Sequence, residues 1–203
     1  MKLTKFLTDS IGRTVDAEFI KDLAKVLYAV NRHYSIDDIP RQTHGNYCFC
    51  AVHVDDFLSD WKQLHLLHWD ETEKHVGDLC PNADYDFYRV LVESGRMILF
   101  AVLHEGEMVG YCPMKLEESM HTQQLVAYED ALFLRKDHRG KGTAMRFVKY
   151  VENVLRDLGV TEIRVSSKLV NGSDKFMVKA GFKPVATQLI KMLRDEDVQV
   201  RCA

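Results

Sequence analysis

The apolar positions along the chain follow two repeats, one near 3.6 residues and one of two, and each stretch predicts an element. Residues 16–31 set Phe19, Ile20, Leu23, Val26, Leu27 and Val30 on one helical face behind Asp16 as the cap. A polar, irregular stretch follows through 39–46. The aromatic and β-branched run 47–54 predicts a strand, and 56–67 predicts a helix. After an acidic connector, 85–93 reads as a helix that stops at Gly95. Strands at 97–104 and 108–115 flank Glu105-Gly106-Glu107, a short hairpin signal. Residues 125–135 read as one further strand. The clearest helix is 142–158, with Met145, Val148, Val151, Leu155 and Leu158 on one face and Gly159 as its stop. A strand at 162–166, a short helix at 173–179 and a terminal strand region at 184–193 complete the series.

Helices and strands interleaved in this order predict an α/β fold of the mixed α+β kind, with a mixed sheet covered by helices on both faces. At 203 residues, 46% of them hydrophobic, the chain can bury one ordinary domain core and carry an added segment. The net charge of −3 gives no reason to expect nucleic acid or a membrane surface as partner. Apolar runs such as 97–103 are strand-length, far short of the roughly 20 residues that cross a bilayer. The N-terminus lacks the apolar core of a secretory signal. Five cysteines without framework spacing point to a reducing cytoplasm. Cys48 and Cys50 share one strand face and read as core.

The chemistry concentrates between Leu132 and Ala144. There a buried strand runs through Lys136-Asp137-His138-Arg139-Gly140-Lys141-Gly142 into the long helix. Glycines let a backbone turn tightly and approach a ligand, and the first N–H groups of a helix lie unpaired at its positive end. Together these features make a cradle for a phosphate. Six cations (Arg135, Lys136, Arg139, Lys141, Arg146 and Lys149) oppose Asp137. A solvated basic turn would carry the same pattern, and the residues alone do not decide between the two. The stretch lacks a nucleotide-binding P-loop and the third glycine of a dinucleotide fingerprint.

Arg139-Gly140-Lys141-Gly142-Thr143-Ala144 resembles the Arg/Gln-x-x-Gly-x-Gly/Ala signature of the GNAT superfamily of N-acetyltransferases. The preceding strand, the following helix, the strand 162–166 and Lys179-Ala180-Gly181-Phe182 agree with it in order and spacing, over about residues 47–193. Trp69-Asp70-Glu71-Thr72 and the layout are most similar to acetyltransferases of tailed bacteriophages, which would make the setting a host cytoplasm. The resemblance implies a GNAT fold at 47–203 with splayed central strands, behind an N-terminal extension, 1–46, with one amphipathic helix. That extension suits partner binding, a homodimer included, or completion of the domain's own core. The implied activity is transfer of an acetyl group from acetyl-CoA, as co-substrate, to a primary amine of a small molecule, peptide or protein. A protein that keeps the fold and binds CoA or a partner without turnover is the other reading.

The resemblance also implies residue roles. Leu132, Phe133 and Leu134 would hold the pantetheine arm, with the backbone of Leu132 and Leu134 pairing to it. Arg139, Gly140, Lys141, Gly142, Thr143 and Ala144 would bind the pyrophosphate through their N–H groups. Asn171 stands one place beyond the family's usual Asn, where this chain has Val170. Met177 stands where many relatives carry a tyrosine that protonates the leaving thiolate, so the hydroxyl of Ser173 is the expected substitute. The acceptor would enter over Trp69, Asp70 and Glu71, in a connector that also carries Glu73, Asp78, Asp84 and Asp86 against Lys74. That acidic mouth suits a cationic acceptor, and a solvated loop explains it as well.

An amine with a pKa near 10 must lose a proton before it attacks. Asp130 and Glu129 are the candidate bases. Neither sits at the family's usual position, which falls on Tyr128. Asp130 is preferred because regular alternation puts it on one face with Tyr128, Leu132 and Leu134. His65, His68 and His75 have no third ligand fixed nearby, so no metal is expected.

Overall fold

The computed structural model describes residues 3–28, 34–73, 81–168 and 171–191. The N-terminal part holds two helices, α1 (Leu3–Asp9) and α2 (Ala17–Tyr28). Asp16 caps α2 as expected, its carboxylate accepting from the Phe19 N–H at 2.8 Å. The short α1 was not anticipated; Phe6 packs against Phe19 with ring centroids 5.7 Å apart. Ile20, read as part of the apolar face, is exposed, and Val30 lies outside the described residues. Beyond α2 the chain rejoins the core. Ile36 and Ile39 are buried in it, and the Pro40 carbonyl accepts from the Tyr150 hydroxyl at 3.0 Å.

The sheet contains β1 (Gln42–His44), β2 (Tyr47–Val52), β3 (Met97–His104), β4 (Glu107–Glu118), β5 (Leu125–Glu129), β6 (Phe133–Leu134) and β7 (Glu162–Arg164). Their order is β1-β2-β3-β4-β5-β7, and β6 pairs with β4 beyond the end of β5. Every pairing is antiparallel except β5 with β7. β1 falls inside the stretch expected to be irregular. The first seven residues of β3 are all buried, as in a strand covered on both faces.

Two helices, α3 (Leu58–His68) and α4 (Tyr85–Glu93), cover one face, where Trp61 packs edge-on to Tyr111 of β4. The other face lies under α5 (Thr143–Asp157), whose Phe147 and Tyr150 meet Phe49 and Phe100 of β2 and β3. The last helix, α6, spans Ser173–Lys179. A mixed sheet with helices on both faces is therefore present, as the periodicities predict.

Two expected strands differ. The stretch 125–135 is broken into β5 and β6 by residues 130–132. The terminal region, described as far as Lys191, forms no strand over 184–191, where Val185, Leu189 and Ile190 are exposed. Alternating apolar residues make a strand only where a neighbour supplies a ladder, and none of the sheet's pairings among the described residues reaches this stretch.

Candidate active site

The site forms where the sheet parts. β5 and β7 pair at Val126–Glu162, Ala127–Ile163 and Tyr128–Arg164 and no further. At the opening the Glu129 carboxylate accepts from the Ser166 N–H at 3.1 Å and so bridges the two strands. On its other side β5 meets a bulge. Glu129 faces Met114 and Phe133 faces Tyr111, so three residues on this strand span two on β4. One residue is extra, and the facing pattern shifts across it.

The bulge interrupts the regular alternation behind the shared face expected for Asp130, Leu132 and Leu134, although all three line one cleft. Asp130 turns toward α4, its carboxylate accepting from the Tyr88 hydroxyl at 2.5 Å and the Lys115 ammonium at 2.8 Å. Leu132 instead joins Val148 and Val151 of α5 around a small apolar cavity. Past the bulge, β6 runs very close to β4. A Cβ on Gly110 would lie 2.9 Å from the Phe133 carbonyl oxygen and 3.3 Å from the Leu134 Cα, so this approach requires glycine.

β6 leads into the basic loop. Gly140, Lys141 and Gly142 take φ of 92°, 46° and 80°, three consecutive left-handed residues that wrap the backbone before α5. The Arg139 N–H donates to the Lys136 carbonyl and the Thr143 N–H to that of Gly140, both at 3.1 Å. Those two are already engaged, so Gly140, Lys141, Gly142 and the helix start at Ala144 supply the N–H groups that can turn to an anion. The open left-handed turn, the helix start and the cations fit a pyrophosphate.

Arg139 does not point at open water. Its Nε donates to the Leu134 carbonyl at 2.6 Å, and its Nη2 meets Glu71 at 2.8 Å. Glu71 comes from a single π-helical turn, Trp69–Glu73, that continues α3. The expected acidic mouth is thus largely spoken for. Glu71 faces Arg139 of the glycine loop, Asp84 caps α4 through the Phe87 N–H, and Asp86 pairs with Arg89. Lys74 and Asp78 lie outside the described residues.

One cleft of about 1160 Å³ joins these parts. Gly140, Gly142, Thr143 and Ala144 line one end, with Leu132, Phe133 and Leu134 along it and Glu129 and Asp130 at the strand opening. Trp69 and Glu71 line it from the α3 side; Asp70 does not. Asn171, Ser173 and Met177 close the far wall. Asn171 accepts from the Ser173 N–H at 3.0 Å, and the Ser173 hydroxyl donates to the Lys168 carbonyl at 3.2 Å.

The structure adds a wall that the sequence reading did not assemble. His65 bonds the Tyr85 hydroxyl and His68 the Tyr111 hydroxyl, both at 2.8 Å, and Tyr88 holds Asp130. Helical spacing puts His65 and His68 on one face, but their tyrosine partners on α4 and β4 left no local signal. No group of three metal-ligating side chains occurs among the described residues, and His75 lies outside them.

Burial pushes the His65 imidazole down from its ordinary 6.5 to about 4; His68 adds to this and Asp130 opposes it. The folded state therefore holds the neutral ring. The stability tied to it is full above pH 6.5 and is lost as pH falls from 6.5 toward 4, about 3 kcal/mol over the window. Urea unfolding at pH 7 and pH 4.5 tests this. His65→Asn is expected to lose about 2 kcal/mol less between the two pH values than the wild type. Equal losses would show that His65 titrates normally.

A left-handed glycine loop and helix start beside parted parallel strands, facing an aromatic pocket with a carboxylate, form the arrangement expected for an acyltransferase. The sequence matches the Acetyltransferase (GNAT) family over residues 61–182. The chain belongs to that family, whose members use acetyl-CoA as co-substrate. No curated protein matches it at significance.

Among solved structures it is similar to an aminoglycoside acetyltransferase from an uncultured soil metagenomic sample, crystallised with sisomicin. That match has 15% identity and a TM-score of 0.58, covering 79% of this chain and 99% of the other. It is also similar to ribosomal-protein-alanine N-acetyltransferase from Brucella melitensis biovar Abortus 2308, with 14% identity, TM-score 0.56 and coverage of 74% and 100%. Glucosamine-6-phosphate N-acetyltransferase from Arabidopsis thaliana matches with 11% identity, TM-score 0.58 and coverage of 74% and 100%. At these identities the likeness establishes the fold alone. Among the described residues no helix is long and apolar enough to cross a membrane.

Proposed function

We propose that the protein transfers the acetyl group of acetyl-CoA to a primary amine. The observation that carries this reading is the single cleft running from the left-handed loop Gly140–Gly142, past the β5–β7 opening, to the wall of Tyr85, Tyr88 and Tyr111. Two substrates can meet there. The loop and the start of α5 hold the pyrophosphate, and the backbone of Leu132 and Leu134 holds the pantetheine arm. The amine nitrogen attacks the thioester carbonyl; the new C–N bond replaces C–S, and the sulfur leaves as a thiolate.

Asp130 is our choice for the group that takes the amine proton. Its support is not the face first expected but its position toward α4, where an acceptor would pack, with Tyr88 and Lys115 fixing the carboxylate. Glu129 then serves chiefly as the tie across the strand opening. Met177 has no proton to give, so the Ser173 hydroxyl or water returns one to the thiolate. With a thiol pKa near 8.5, that step needs little help. The cytoplasm suits the free thiols of Cys48, Cys50 and Cys112. The phage-like Trp69–Thr72 segment makes a host-cell amine a sensible early acceptor to try.

The test is release of free CoA from acetyl-CoA with a panel of amines: a lysine peptide, an alanine-terminated peptide, sisomicin and glucosamine 6-phosphate. Acceptor-dependent release with at least one amine is expected. Tight acetyl-CoA binding without turnover on any amine would move the assignment to a binding protein that keeps the fold.

A further inference from the structure

We infer that Glu71 stands in for a cofactor phosphate, so that acetyl-CoA must displace it and thereby release the segment Trp69–Glu73 from the phosphate loop. This rests on the acetyltransferase reading above. The two carboxylate oxygens of Glu71 meet two cations of the loop, Arg139 Nη2 at 2.8 Å and Lys136 Nζ at 3.7 Å. Arg139 is not swinging freely. Its Nε is held by the Leu134 carbonyl, and its guanidinium lies 5.4 Å from the centroid of the Phe133 ring. One edge of the guanidinium is therefore fixed on the backbone, and the other is presented to an anion.

In the protein alone that anion is Glu71. A pyrophosphate brings more charge and several acceptor oxygens, so it makes the stronger set of charge-assisted bonds. Of the other cations at the loop, Arg135 is already paired with Asp137 and Glu107, and Arg146 donates to the Lys141 carbonyl at 2.6 Å. The segment carrying Glu71 is a π-helical turn, a rare form that often marks functional sites. Trp69 on the same turn lines the cleft. Exchange of Glu71 for phosphate thus couples cofactor arrival to the acceptor side of the cleft.

Two readouts test this without knowledge of the acceptor. Calorimetry with acetyl-CoA compares wild type and Glu71→Gln, which keeps the shape and removes the charge. The variant is expected to bind about three- to tenfold more tightly, the gain from deleting one partly exposed charged competitor. A misfolded variant cannot produce such a gain. The second readout is tryptophan emission. The chain has only Trp61 and Trp69, and Trp61 is wholly buried. Acetyl-CoA should change the emission of the wild type through Trp69, with a smaller change in Glu71→Gln, where the segment is already released. Equal or weaker affinity in Glu71→Gln would overturn the inference and leave the enzyme reading intact. Absence of acetyl-CoA binding in both proteins would overturn the enzyme reading, and the inference with it.

Discussion

Arg139→Glu is expected to weaken acetyl-CoA binding by about a hundredfold or more, the largest effect at the cofactor end of the cleft. The argument is electrostatic. A carboxylate would replace the guanidinium edge that faces an incoming anion, and it would stand beside Glu71, a second carboxylate. Loss of one charge-assisted contact costs about 1.5–3 kcal/mol, and reversal adds repulsion to the loss. Gly142→Val attacks the same place by shape. Residue 142 has φ of 80°, and its Cβ would come within 2.7 Å of Arg146 Nη1, so strain and bulk arrive together where the backbone must approach the phosphates. Calorimetry on both folded variants gives the answer. Wild-type affinity in the two would remove the phosphate loop from the account.

Asp130→Asn should lower kcat/KM by about a hundred- to a thousandfold, the range for removal of a positioned proton acceptor. The carboxamide keeps a partner for the Tyr88 hydroxyl and preserves the shape of the pocket. Glu129→Gln is expected to cost less in kcat, because its contact closes the gap between β5 and β7 instead of facing the acceptor wall. The pH dependence of kcat/KM separates the cases. In Asp130→Asn it should collapse toward the titration of the amine alone. Full activity with an unshifted profile in both carboxamides would mean that water carries the proton without either side chain.

The parts of this molecule that local chemistry determines could be read from the chain. The helix Thr143–Asp157, its glycine-rich entrance and the hairpin of β3 with β4 follow from glycine placement and hydrophobic repeats, which act within a few residues. The parts set by distant pairing could not. Alternation runs unbroken through Tyr128, Asp130, Leu132 and Leu134, and only the register against β4 shows the extra residue. Pro113, which has no N–H to give and whose carbonyl accepts from Asp130, was the available hint of an irregular ladder. Glu71 and Arg139 are 68 residues apart, so the chain alone could not show that Glu71, in the segment read as an acceptor mouth, meets the glycine loop. The three-residue β1 was too short to carry a period.

The bulge between β5 and β6 makes chain length as decisive as residue identity at this point. Remove one residue from 130–132, and an unbroken ladder against β4 becomes available. The carboxylate that now faces Tyr88 would then have to leave its place, or the glycine loop would be drawn back along the sheet. Either way one end of the cleft would lose its alignment with the other. The spare residue acts as a spacer that keeps two separately built ends in step, and side chains here can vary more safely than their number.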